Sequence, residues 1–412
     1  MTTNLKTNIN TNLNSNKINL KLFVVGLFLI TGLVVGFYPF IQGANAKTTH
    51  TIEQNSQLTT MMRPKIQLAI LLDTSSSMSG LIDQARNQLW QVVNEFSEST
   101  RNGVKPLLEV AVYEYGNSGL SSGNGYTRQV TDLTSELDQV SEALFSLTTN
   151  GGDEYCGYAI STAVANLQWS DSDSDIRAIF IAGNEPFTQG PVSFNQAIAS
   201  AQGKDIAVNT IHAGSYEAGV QSGWEQGALL AGGSYMSIDH NHQVAHVVAP
   251  QDRKIAELNA KLNDTYIPYG KDGAEKAQRQ IMQDTKSNGI SLGLLAKRAK
   301  SKISSMYRNT SWDLVDALEE GEVDLDELDE DQLPAEMRSM DEPSREKYVA
   351  KKAREREEIK SEILDQSKER EDYVAAAKAA APATTVATVN DALGAAIRKQ
   401  GEKKDYVFEA AE

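Results

Sequence analysis

Apolar and polar positions along this chain fall into blocks whose period changes from strand-like to helix-like and back. The clearest is Ile66 to Gly80 (IQLAILLDTSSSMSG), where an almost unbroken apolar run stops at an aspartate and passes into hydroxyls. Such a run predicts a strand buried on both faces, in the middle of a parallel sheet. The next stretch, LIDQARNQLWQVVNEF, sets Ile82, Leu89, Val92, Val93 and Phe96 at helical spacing. Further strands are expected at Leu107 to Tyr115, Arg128 to Val130, Ile176 to Ala182, Ile206 to His212 and Ser234 to Asp239. Helices are expected at Ser135 to Leu147, Tyr158 to Leu167 and Phe194 to Ala201, with a short one from Trp224. This alternation over ~200 residues predicts an α/β fold: a doubly wound, mainly parallel sheet with helices on both faces.

The pattern changes beyond Gln251. A helix through Ile255, Leu258 and Leu262 leads to Tyr269, where the first domain (65–269) is expected to close. A carboxyl-terminal helical region follows. Residues 270–310 read as a polar helical segment whose Lys297-Arg298-Lys300-Lys302 run suits a solvated helix face. Residues 311–342 form an acidic segment: from Asp313 to Glu342 there are fourteen carboxylates against Arg338 alone. Such a block repels itself and is expected to stay extended, and it lacks the spacing and central glycine of an EF-hand. Residues 343–381 read as a long charged helix with a broken apolar stripe. That stripe suits a solvent-bridging helix or one docked on a partner, and is too interrupted for a regular coiled coil. Residues 382–412 read as a linker and a terminal helix.

The amino-terminal end modifies the picture. Residues 1–46 carry Lys6, Lys17 and Lys21 with no acid, then the apolar stretch Leu22 to Ile41, then Ala44-Asn45-Ala46. Positive, apolar, then A-x-A is the layout of a signal peptide. The competing reading is a retained membrane anchor, since a spanning helix needs ~20 residues. Either one exports the rest of the chain, to the periplasm or the extracellular space, with 47–64 as a polar tether. The formal charge is −16, and cleavage after Ala46 would move it to −19. That acidity argues against nucleic acid or an anionic membrane surface as partner, because both reward clustered Lys and Arg. The single cysteine, Cys156, excludes an internal disulfide and reads as a buried small apolar side chain.

The candidate chemistry lies where the first strand ends. Asp73, Ser75 and Ser77 alternate along the loop and offer oxygens alone, the ligands preferred by a hard divalent ion such as Mg²⁺. Helix capping would account for one of these side chains, not for a D-x-S-x-S set at the carboxyl end of a buried strand. In open α/β sheets that crevice is the usual ligand site.

Asp73-Thr74-Ser75-Ser76-Ser77 after a buried strand resembles the metal-ion-dependent adhesion site (MIDAS) of von Willebrand factor type A (VWA) domains. The resemblance implies a divalent cation, Mg²⁺ first and Mn²⁺ or Ca²⁺ as alternatives, that engages an acidic group of a protein partner. In that family a glycine-flanked threonine in the second loop ligates the metal. Here the second loop is Thr148-Thr149-Asn150-Gly151-Gly152-Asp153-Glu154, and Asp153 is the expected replacement, with Thr149 and Glu154 as further candidates. The third loop of the family begins Thr-Asp-Gly, whereas this chain has Ala182-Gly183-Asn184-Glu185. The family aspartate therefore falls on Gly183, and Asn184 or Glu185 is left to reach the ion or its waters. The leading expectation is an exported, non-enzymatic binding protein of bacterial type. The alternatives are a scaffold with a degenerate metal site, or a metal-assisted hydrolase with His212 or His240 as base. Asp239-His240-Asn241-His242 with His246 reads as a solvated loop, with a Zn²⁺ site as the minor alternative.

Overall fold

A computed structural model describes residues 63–97, 99–238, 247–380 and 389–408. The leader, the tether as far as 62, the histidine cluster at 239–246 and the linker from 381 to 388 lie outside the described residues. Among those described, no helix is long and apolar enough to cross a membrane.

Strand β1 (Lys65–Asp73) is followed by helix α1 (Ser79–Ser97), the short strand β2 (Ser99–Arg101), β3 (Leu107–Tyr115), β4 (Thr127–Thr134), α2 (Leu137–Ser146) and α3 (Cys156–Asn166). Then come β5 (Ile176–Gly183), α4 (Phe194–Gln202), β6 (Ala207–Ala213), α5 (Tyr216–Gln221), α6 (Trp224–Leu230) and β7 (Gly232–Ile238). The main sheet runs in the order β4-β3-β1-β5-β6-β7. All its pairings are parallel except that of β4 with β3, an antiparallel edge with register shifts. The mostly parallel sheet flanked by helices is therefore the one the sequence pattern predicts.

Alternation along each strand sorts side chains onto two faces. Ile66, Leu68 and Leu72 of β1, Val110 and Val112 of β3, and Phe180 and Ala182 of β5 join one core, which α1 covers with Leu89, Trp90, Val93 and Phe96. Ala69 and Leu71, Ala111 and Tyr113, and Ile179 and Ile181 join the other, beneath α3, α4 and Trp224. Being apolar on both sides is what allows β1 to sit at the centre. From β1 the chain winds to β3 on one side, and from β5 to β6 and β7 on the other. The strand order thus reverses between the neighbours β1 and β5, and the loops leaving their carboxyl ends flank a crevice.

The carboxyl-terminal region consists of α7 (Gln251–Asn263), α8 (Gly273–Ile290), α9 (Leu292–Lys302), α10 (Leu314–Glu319), the single turn α11 (Ala335–Arg338), α12 (Glu342–Ala380), α13 (Val389–Glu402) and β8 (Tyr406–Phe408). Three expectations fail here for identifiable reasons. The basic run is not a solvated face: Arg298 and Lys302, four apart on α9, are 0% and 2% exposed and meet Asp138 and Asp284 inside the fold. The acidic segment is not extended. Its Leu314, Val315, Leu325, Leu333 and Met337 pack with Ile267 and Val349 into a small core of their own, while most of the carboxylates point outward. Thirdly, α12 neither bridges solvent nor awaits a partner along its whole length. It buries Val349, Arg356, Ile363 and Ser367, a narrow stripe at spacings of seven and four, and Arg370 reaches Asp252 of α7 at 2.6 Å.

The last strand was not anticipated. β8 pairs antiparallel with β2, and the Lys404 Nζ donates to the Asp175 carbonyl at 2.8 Å. Residues 404–408 are thereby fastened at the amino-terminal ends of the main sheet's strands, away from the crevice at their carboxyl ends.

Candidate functional site

Three loops meet at that crevice. The first leaves β1 at Asp73, which is fully buried. Its Oδ1 accepts the Ser75 N–H at 2.7 Å, and the Ser75 and Ser77 hydroxyls are 3.3 Å apart, so the three oxygen-bearing side chains of the motif do converge. The Thr74 N–H donates to the Tyr115 carbonyl at 2.8 Å, continuing the pairing of β1 with β3 past the strand's end. The second loop is tied to the first by the Asn150 N–H, which donates to the Thr74 carbonyl at 3.0 Å. The third follows β5, where the Asn184 Nδ2 donates to the Ser77 Oγ at 3.3 Å.

The second loop presents a different carboxylate from the one expected. Asp153 is exposed, and its Oδ2 accepts the Tyr155 hydroxyl at 3.3 Å. Glu154 is the residue that turns inward, 4% exposed, with its Oε2 accepting the Glu185 N–H at 3.4 Å and its own N–H donating to Gln189 Oε1 at 3.2 Å. The direction is set at Gly152. A Cβ there would lie 2.6 Å from the Gly116 carbonyl and 2.7 Å from the Ser118 nitrogen, so the loop presses backbone to backbone against the loop after β3. Thr149 is half-buried, and no hydrogen bond joins it to the motif among the described residues. Glu185 contributes backbone: its carbonyl accepts the Trp224 indole at 2.9 Å, while its side chain is exposed.

Gly183 has a physical explanation in Tyr115. A Cβ on Gly183 would fall 2.4 Å from the Tyr115 hydroxyl, which is itself buried and donates to the Ala182 carbonyl at 2.9 Å. The tyrosine fills the space that a side chain at 183 would need. Gly183→Ala is therefore expected to cost about 1–3 kcal/mol through overpacking, with part of the loss recovered when Tyr115→Phe removes the clashing oxygen. Urea unfolding of both variants checks this; a Gly183→Ala protein as stable as the parent would disprove it.

Charge at the site is uncompensated. Burial raises the Asp73 carboxyl to about 9, with the Glu154 carboxyl alongside adding to the effect, and burial likewise raises Glu154. None of the described ion pairs or hydrogen bonds at either residue comes from Lys or Arg. At the site, two buried acceptor atoms, Asp73 Oδ2 and Asn184 Oδ1, have no hydrogen-bond partner among the described residues. An orphaned carboxylate oxygen at full burial is costly unless a cation or proton meets it. With Ser75, Ser77 and Glu154 around it, this all-oxygen set fits a hard divalent ion.

His212, the candidate base, is 4% exposed. Its ring lies tilted against Trp224 with centroids 5.8 Å apart, and its Nδ1 is 3.2 Å from the Ser215 carbonyl. His240 lies outside the described residues.

Residues 67–222 match the family model described as von Willebrand factor type A domain. No curated protein matches the chain. Similar solved structures include the conserved hypothetical protein BatB from Bacteroides thetaiotaomicron, 17% identical, covering 42% of this chain and 90% of that one with a TM-score of 0.32. The SpRpn10 VWA domain is 16% identical over 45% of this chain and 100% of its own, with a TM-score of 0.32. Proximal thread matrix protein 1 from the mussel byssus, solved with a zinc-occupied MIDAS motif, is 12% identical over 43% of each chain, with a TM-score of 0.31. The chain thus spans less than half the length of the mussel protein. Residues 67–222 of this chain are a von Willebrand factor type A domain.

Proposed function

We propose that this protein is an exported, non-enzymatic binding protein whose VWA domain engages a protein partner through a divalent cation. The observation that carries this reading is the fully buried Asp73, whose Oδ2 has no hydrogen-bond partner among the described residues although it stands among hydroxyl and carboxylate oxygens. Asp73, Ser75 and Ser77 would hold the ion, with Asn184 reaching it or its waters. Mg²⁺ is the first choice, because a few protein oxygens with retained waters suit it. When bound, the ion supplies a fixed positive charge with positions open to an oxygen ligand. The chain's own residues do the rest: β1 and β5 place the loops, and the packed Tyr115 keeps the floor of the crevice rigid.

Binding rather than hydrolysis rests on the likeness of Asp73-Thr74-Ser75-Ser76-Ser77 to an adhesion site. Export rests on the positive, apolar and A-x-A pattern of residues 1–46. Titrating Mg²⁺ and Mn²⁺ into the full chain by calorimetry tests the reading. Binding to the parent that is abolished in Asp73→Asn and weakened in Ser75→Ala is expected. Parent protein that takes up neither ion would favour the scaffold alternative instead.

A further inference from the structure

The crevice holds a second carboxylate that the chain itself supplies. Glu154 is nine-tenths buried or more, and it approaches Asp73 closely: a Cβ on Gly116 would lie 2.7 Å from Asp73 Oδ1 and 2.8 Å from Glu154 Cγ. It is held there from both sides, by the Glu185 N–H on its Oε2 and by the Gln189 side chain on its backbone. Contrast Glu114, the other buried carboxylate near the motif loop, which is met by Arg128 and by the Thr74 hydroxyl. Asp73 and Glu154 have no such cationic partner among the described residues. Two acids placed together at this burial without a counter-charge call for a shared proton or a bound cation between them.

Charge then decides what the site accepts from outside. A divalent ion between two carboxylates is already neutralised. A third carboxylate arriving from a partner would leave a net negative charge in a poorly solvated place, with the exposed Glu185 side chain at the rim adding repulsion. An uncharged oxygen carries no such penalty. Resting on the divalent-cation reading above, we infer that Glu154 gives the ion its second carboxylate from within the chain, and that the partner's contribution is an uncharged oxygen, a carbonyl, amide or hydroxyl, rather than an acidic side chain.

The full chain, its Glu154→Gln and Asp73→Asn variants and the control Asp153→Asn are titrated with Mn²⁺ by calorimetry. The saturated Mn²⁺ complexes are then titrated with acetate, followed by water-proton relaxation. Glu154→Gln is expected to weaken Mn²⁺ at least ~10-fold, on the scale by which even outer-shell groups tune metal affinity. Asp153→Asn should leave it within about twofold, as expected of an exposed side chain away from the ion. Acetate should displace bound water from the Glu154→Gln complex and not from the parent. In chelator, Glu154→Gln should melt at or above the parent temperature, since one of two facing acids is gone, so weaker binding cannot be ascribed to misfolding. If Glu154→Gln binds Mn²⁺ like the parent while Asp73→Asn does not bind, this inference is wrong and the cation reading stands. Acetate entering the parent complex as readily as the variant would also overturn it. Failure of the parent to bind Mn²⁺ would remove both.

Discussion

Arg356→Met should destabilise the protein by about 3–5 kcal/mol, the usual consequence of removing one partner from a buried ion pair. Arg356 lies midway along α12, 1% exposed. Its guanidinium donates to both oxygens of Asp313, at 2.6 and 3.1 Å, to Asp316 Oδ1 at 2.6 Å, and to the Thr265 hydroxyl and carbonyl at 3.1 and 2.9 Å. It also sits over the Tyr266 ring at 4.2 Å. One side chain therefore joins three parts of the chain: the long helix, the start of the acidic segment and the segment leaving α7. Asp313 cannot readily absorb the loss. It is fully buried and already accepts the Ile267 and Asp316 N–H groups, so methionine would strand a carboxylate that no water reaches. Asp316, raised to about 6 by burial and by Asp313, would take up a proton more easily and soften the penalty. Urea unfolding at neutral pH measures the change, and hydrogen exchange across 342–380 locates it. A loss under about 1 kcal/mol, typical of an exposed pair, would show that α12 is held by its apolar stripe instead.

Much of the architecture was readable because it depends on local patterns. The apolar run of β1 announces a strand buried on both sides, and the abrupt D-x-S-x-S after it marks the crevice. What escaped sequence reasoning depends on contacts between distant residues. Asp153 and Glu154 are adjacent carboxylates behind the same glycine pair; which one faces Asp73 is set by Gly152 pressing on the backbone after β3, a contact that spacing does not encode. Gly183 reads as a lost ligand until Tyr115 is seen filling its place from the neighbouring side of β1. In the acidic segment, net charge concealed the interspersed Leu314, Leu325, Leu333 and Met337, which were enough to fold it. The basic run of α9 was misread for the same reason: its partners Asp138 and Asp284 belong to α2 and α8.

That buried cluster gives the second large effect. Arg298 is fully buried, pairing through Nη1 with Asp138 at 2.7 Å and through Nε with Asp284 at 2.6 Å, and lies 4.6 Å from the Trp90 ring centre. Lys302 shares Asp284 at 3.1 Å. Asp284→Asn would leave two buried cations facing one remaining acid, at an expected cost of about 3–5 kcal/mol at pH 7. Burial alone would raise the Asp284 carboxyl, but Lys302 and Arg298 beside it hold it well below the usual range. A carboxylate whose folded value is depressed contributes stability that is fully present above its unfolded value, about 3.9. That contribution is lost as pH falls through the folded value, because the unfolded chain binds the proton first. Between pH 5 and pH 3, where the Asp284 proton is the one that differs, the gap between parent and Asp284→Asn should hence narrow. Urea titrations at pH 7, 5 and 3 distinguish the outcomes. A gap that widens between pH 5 and pH 3 would mean that Asp284 is protonated in the fold, and that Arg298 is held by Asp138 and the aromatic ring without it.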